Sequence, residues 1–247
     1  MSRMPAPAVD VTWCREWFRR NRARSRAWFD LLRDDAYVAR PIALRHPVVF
    51  YEGHLPAFNV NTLVKRGLAL PGVDAELEAL FERGIDPDVG EACPAIDAWP
   101  TRARVLEFAD ACDDLVEAAL AAEDVCRDDH PVLRRGLALF TILEHEAMHH
   151  ETLLYMLHRL PAAAKARPRG YRPVVGGEPP PPRMVEVPAG RSTLGADPDD
   201  LAFGWDNEFS AHVVDVPAFA VDVYDVTNRD FLAFVEAGGY EDRSPWT

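Results

Sequence analysis

The sequence predicts a mainly α protein, a four-helix bundle followed by the N-terminal part of an α+β domain. Three observations carry this. Apolar residues recur at spacings of three and four in separate stretches between Asp10 and Leu160. Prolines at 161, 168, 173 and 179–182, with Gly176-Gly177 among them, then interrupt any regular pattern. From Met184 the grammar changes to alternation, in Met184-Val185-Glu186-Val187 and Val213-Val214-Asp215-Val216. The expected organisation is a bundle over 1–160, an extended linker over 161–183 and an α+β piece over 184–247.

The first helix is expected from Asp10 to Leu32, with Trp13, Trp17, Trp28, Leu31 and Leu32 as its buried side. Its arginines, at 15, 19, 20, 22, 24 and 26, read as a solvated face. The second helix opens at Pro47, a residue suited to a first turn, and runs to about Leu68 with a kink predicted at Pro56. A short helix, Ala75 to Arg83, follows in a segment broken by Pro71-Gly72, Asp86-Pro87 and Cys93-Pro94, long enough to border a site. The third helix, Thr101 to Asp124, buries Val105, Phe108, Cys112, Leu115 and Ala119 and turns Asp113, Asp114 and Glu117 outward. Pro131 is expected to open the fourth. Beyond the linker, Ala189-Gly190 reads as a turn, and Thr227 caps a helix from Arg229 to Ala237, closed by Gly238-Gly239. So few strands bury little surface and leave sheet edges open, and a chain cut short, or an incomplete gene, is the expectation.

The fourth helix carries Glu144-His145-Glu146-Ala147-Met148-His149-His150-Glu151-Thr152 within the apolar run Leu137 to Leu157. At 3.6 residues per turn, His145 and His149 stand one turn apart on the face that also holds Ile142, Thr152 and Met156. Two imidazoles on an apolar face both need partners, because an unsatisfied buried polar group costs about 1–3 kcal/mol. A metal ion supplies one partner to both. His150 points elsewhere and reads as a surface residue or a neighbour of the ligands. The letters His145-Glu146-x-x-His149 also spell the zinc-peptidase pattern, but Thr152 and Tyr155 stand where its extended form has Gly and His. No helix with a further glutamate ligand follows, and the peptidase reading is set aside. His54, in Tyr51-Glu52-Gly53-His54 of the second helix, is the candidate third ligand. A lone histidine on an apolar helix is more often a core residue, but here a pair lacks its partner. Three nitrogen ligands leave coordination positions open, which suits catalysis better than a structural site.

Composition narrows the partners. Lys plus Arg is 27 against 40 for Asp plus Glu, a net charge of −13, which disfavours nucleic acid and anionic membranes. The 48% hydrophobic content of the 247 residues supports real cores. Cys14, Cys93, Cys112 and Cys126 form no CxxC pair and point to a reducing cytoplasm. No apolar run is long enough to span a bilayer, and Met1 to Asp10 lacks a signal-like apolar stretch, so a soluble protein is expected.

Tyr51-Glu52-Gly53-His54, His145-x-x-x-His149-x-Glu151, Val187-Pro188-Ala189-Gly190, Trp205-Asp206-Asn207-Glu208, Val226-Thr227-Asn228 and Glu236-Ala237-Gly238-Gly239-Tyr240 occur here in one order. In that combination the chain resembles the iron(II)-dependent sulfoxide synthases of ergothioneine biosynthesis. The resemblance implies a DinB-like bundle followed by a domain like formylglycine-generating enzyme, of the C-type-lectin-like kind. It implies His54, His145 and His149 as ligands of Fe(II), O2 as co-substrate, and Glu151 beside the ligands or in packing rather than as a fourth ligand. It implies small-molecule partners, a cysteine-type thiol and the histidine-derived hercynine, joined as a sulfoxide. Close relatives use histidine itself or a selenium donor. Arg83, Arg102 and Arg104 are candidates to hold the thiol substrate's carboxylate. The family carries most of its second domain, with a proton-donating tyrosine, beyond the point reached by Thr247. The 1–247 chain is therefore expected to bind iron and turn over poorly. A DinB-like thiol S-transferase, which needs no second domain, and an inactive metal-binding remnant are the alternatives.

Overall fold

The computed structural model describes residues 9–82, 98–173 and 176–246. The chain divides into two compact units, the first ending at Arg169 and the second beginning at Gly170.

The first unit is helical: α1 Val11–Phe29, α2 Val48–Asn59, α3 Ala75–Leu80, α4 Arg102–Ala122 and α5 Leu137–Arg159. Side-chain caps start three of them, with Asp10 accepting from the Trp13 N–H, Asp74 from Glu76 and Leu77, and Thr101 from Arg104. The long helices form the bundle, α1 on α5 and α2 on α4, around Phe18, Phe50, Leu63, Phe108, Leu139 and Leu153. Among the described residues, no helix is long and apolar enough to cross a membrane.

Four expectations need correction. Pro47 caps α2 rather than occupying its first turn, and beyond Pro56 the helix runs on with wider, i→i+5 turns as a π-helix, Val60–Gly67. The fourth long helix starts not at Pro131 but at Leu137, after Arg135 and Gly136 adopt left-handed backbone (φ 56° and 72°). On α1, Trp13 is 47% exposed, and the buried face is Cys14, Phe18, Asn21, Arg22, Ser25 and Phe29. Four of the six arginines of α1, Arg15, Arg19, Arg22 and Arg26, form a ladder onto α4, while Arg20 and Arg24 are exposed. Arg15 and Arg19 both reach Glu117 at 2.6 Å, and Arg22 and Arg26 reach Asp113 at 2.7 Å, so Asp113 and Glu117 point at α1 and not outward. Helical periodicity ranks residues by hydropathy and does not see that a charge can be buried when its counter-charge comes from another helix.

After α5 the chain stays pinned to the bundle. Lys165 bridges to Leu32, and the Ala166 N–H donates to the Leu31 carbonyl.

The second unit has two antiparallel pairs. Strand β1 Met184–Val187 pairs with β4 Phe219–Asp222, and β2 Gly190–Leu194 with β3 His212–Val216. Ala189-Gly190 is therefore no hairpin turn: the chain passes there from one sheet to the other. Helix α6, Asn228–Glu236, is opened by a capping box of Thr227 and Asp230.

Candidate metal centre

Helix α2 delivers His54 and α5 delivers His145 and His149 to one place in the bundle. All three are buried, at 4%, 8% and 0% exposure, and their ligand atoms lie within 4.8 Å of one another. The Nε2 of His145 lies 3.3 Å from that of His54 and 3.1 Å from that of His149. Gly53 permits the approach of the neighbouring turn, since a Cβ there would stand 2.3 Å from the Phe81 ring. Phe81 in turn accepts the His54 Nδ1–H through its carbonyl at 2.7 Å. That bond fixes the tautomer and leaves the His54 Nε2 lone pair facing the other two rings.

Aromatic rings wall the trio. Phe58 stacks on His145 with centroids 3.5 Å apart and planes at 12°, Phe50 stacks on His54 at 4.9 Å, and Tyr51 meets His149 edge-on at 5.7 Å. Burial is the main cause of lowered pKa values throughout: His54 falls to about 4 and His149 to about 3, and His145 is pushed lower still, each also disfavoured by neighbouring imidazoles. The three rings are thus neutral. Among the described residues, the buried Nδ1 atoms of His145 and His149 have no hydrogen-bond partner. Neutral imidazoles whose Nε2 atoms converge match the donor set of a transition-metal cation, and the trio fits such an ion.

Glu146 and His150, each about 100° further round α5 than the histidine before it, face α1. Glu146, 1% exposed, accepts from Arg22 Nη1 at 2.8 Å and from the Ser25 hydroxyl at 2.6 Å. His150 Nε2 is 2.9 Å from the same hydroxyl, and its ring lies edge-on to Trp28. The glutamate that a zinc peptidase uses as base is here an interhelical ion-pair partner. Glu151 is exposed.

Of the arginines suggested for substrate, Arg102 is spent on Glu52 (3.2 Å) and Asp30 (3.3 Å), Arg104 on Asp74 and Glu107, and Arg83 lies outside the described residues. Sequence reasoning missed Arg22, Ser25, Phe58 and the Phe81 carbonyl. Phe58 carried a signal, being one turn after His54; a carbonyl carries none.

A family model described as the DinB superfamily matches residues 18–153, and one described as a sulfatase-modifying factor enzyme 1-like domain matches residues 173–247. The chain is 32% identical over 223 residues to a protein named hercynine oxygenase from Mycolicibacterium thermoresistibile, covering 87% of this chain and 46% of that one. It is 31% identical over 223 residues to ergothioneine biosynthesis protein 1 of Neurospora crassa, covering 83% and 25% respectively. Over 68 residues it is 44% identical to the formylglycine-generating enzyme of Bos taurus, covering 27% of this chain and 18% of that one. The chain spans less than half the length of each of these relatives.

Proposed function

This chain belongs to the DinB superfamily, and on that footing we propose that its bundle is the metal-holding part of a non-heme iron(II), O2-dependent sulfoxide synthase. The reaction joins a cysteine-type thiol to the imidazole of hercynine, in ergothioneine biosynthesis. The observation that carries this reading is the convergence of His54, His145 and His149 inside a bundle whose relatives, over both units, are named for hercynine and ergothioneine.

His54, His145 and His149 would hold the iron(II), which when bound would supply redox chemistry towards O2 and a substrate thiolate. The chain's own contribution is preorganisation. Burial keeps the three imidazoles neutral, so their Nε2 lone pairs are available without loss of a proton. The Phe81 carbonyl holds His54 in one tautomer. Phe50, Tyr51 and Phe58 exclude water from the rings they cover. Arg22 and Ser25 keep Glu146 away, which leaves no general base of the peptidase kind beside the trio. The match over residues 173–247 counts against a stand-alone DinB-like S-transferase, which has no use for such a domain. The free thiols Cys14, Cys112 and Cys126 agree with a reducing cytoplasm as the place of work.

The test is to follow O2 uptake and hercynine-derived products with Fe(II)-loaded protein carrying this chain. A thiol- and O2-dependent sulfoxide, absent with His149→Ala, supports the proposal. Histidine or a selenium donor replacing the preferred substrates redirects it to an ovothiol- or selenoneine-type reaction. Tight Zn with thiol transfer and no O2 consumption overturns it.

A further inference from the structure

We infer that Phe58 is a positioning residue of the metal centre: its ring, laid face to face on His145, sets the plane in which that imidazole presents Nε2. The inference rests on the metal reading above. A ligating histidine ordinarily has its plane fixed by the hydrogen bond of its second ring nitrogen. His54 has that bond, to the Phe81 carbonyl. Among the described residues His145 finds no such bond, its Nδ1 being buried without a partner there. Its outer side-chain torsion is of the broad, two-fold kind, so packing has to supply the constraint.

The packing is unequal around the ring. His149 and His54 meet His145 edge to face, with planes at 73° and 60° and centroids 4.4 and 5.1 Å apart. Phe58 lies parallel to it, at 12° and 3.5 Å. Because Phe58 follows His54 by one turn of α2, its ring also stands 6.0 Å from the His54 ring. One helical turn therefore provides both a candidate ligand and the surface against which the ligand from α5 is set. A planar ring does this, whereas a branched or flexible aliphatic chain fills the volume and leaves the imidazole free to tilt.

The experiment uses the full chain and Co(II), whose visible ligand-field bands report coordination. Affinity is read by competition with a chromogenic chelator, alongside the melting temperature of the metal-free protein. Phe58→Leu is expected to lose about tenfold or more in Co(II) affinity and to change band intensity at saturation, as disrupted support of a ligand does. Phe58→Tyr, which keeps the ring, is expected to stay within about twofold of the unsubstituted chain with the same bands. Phe58→Met, a flexible filler, stands in should the leucine variant fail to fold, and is expected to show the same loss. Leucine and methionine variants that fold and saturate with unchanged bands and affinity overturn the inference. Absence of Co(II) binding by the unsubstituted chain, or equal binding by His149→Ala, removes the metal centre itself and the inference with it. Those two outcomes are read with Phe58 intact, so the two failures are distinguishable.

Discussion

Glu146 and His145 are sequence neighbours with opposite duties, and the difference is set by which way each leaves the helix. Glu146 is buried against Arg22, itself 7% exposed at its side chain. Glu146→Ala removes one of the two carboxylates that hold the buried Arg22 guanidinium, with Asp113 remaining at 2.7 Å, so it is expected to cost about 1–3 kcal/mol in urea unfolding. It should leave metal stoichiometry at one per folded chain, because Glu146 touches none of the trio; loss of metal with unchanged stability would contradict this. The histidines predict a pH dependence of opposite origin. Their folded pKa values lie below the usual 6.5, His54 at about 4 and His149 at about 3, so the unfolded chain binds more protons. Stability of the metal-free protein is therefore full above about pH 6.5 and declines as the pH falls from there towards about 4. Denaturant midpoints measured across that range check the sign, and a flat profile would show the imidazoles already charged in the folded state.

At the level of elements, the site depends on a close approach between α2 and the chain that follows α3. Gly53 makes that approach possible, and Gly53→Ala forces its Cβ against the Phe81 ring. Overpacking of this kind costs about 1–3 kcal/mol, and here the displaced residue also carries the carbonyl that holds His54. Thermal melts with and without metal should show a lower melting point and a smaller metal-induced rise. A variant with both unchanged would mean that the turn yields freely. The same elements show what a sequence makes legible. His145 and His149 are readable because a spacing of four is local to one helix, and α4 is readable because its apolar residues recur at spacings of three and four. The start of α5 was obscured because Pro131 mimics a first-turn residue, while two left-handed residues, Arg135 and Gly136, delay the helix. The buried face of α1 is not legible from hydropathy, because tryptophans outweigh arginines in such a pattern, whereas Asp113 and Glu146 neutralise Arg22 from two other helices. The pairing of β1 with β4 across more than thirty intervening residues is equally non-local.

For the whole molecule, the decisive question is whether the first unit carries the metal by itself. It has its own buried core and all three histidines, so residues 1–169 are expected to unfold cooperatively and to bind metal as the full chain does. Metal at about a hundred times its dissociation constant should add about 2.7 kcal/mol to the stability of either form. Calorimetry of both would check this, and metal binding confined to the full chain would assign part of the centre to the second unit. The most direct measurement for the proposed iron centre is an anaerobic Fe(II) titration followed by nitric oxide, read by electron paramagnetic resonance, with His149→Ala in parallel. An iron-nitrosyl signal that saturates at one equivalent and is lost in the variant is expected. No signal, with tight Zn retained in its place, would contradict it.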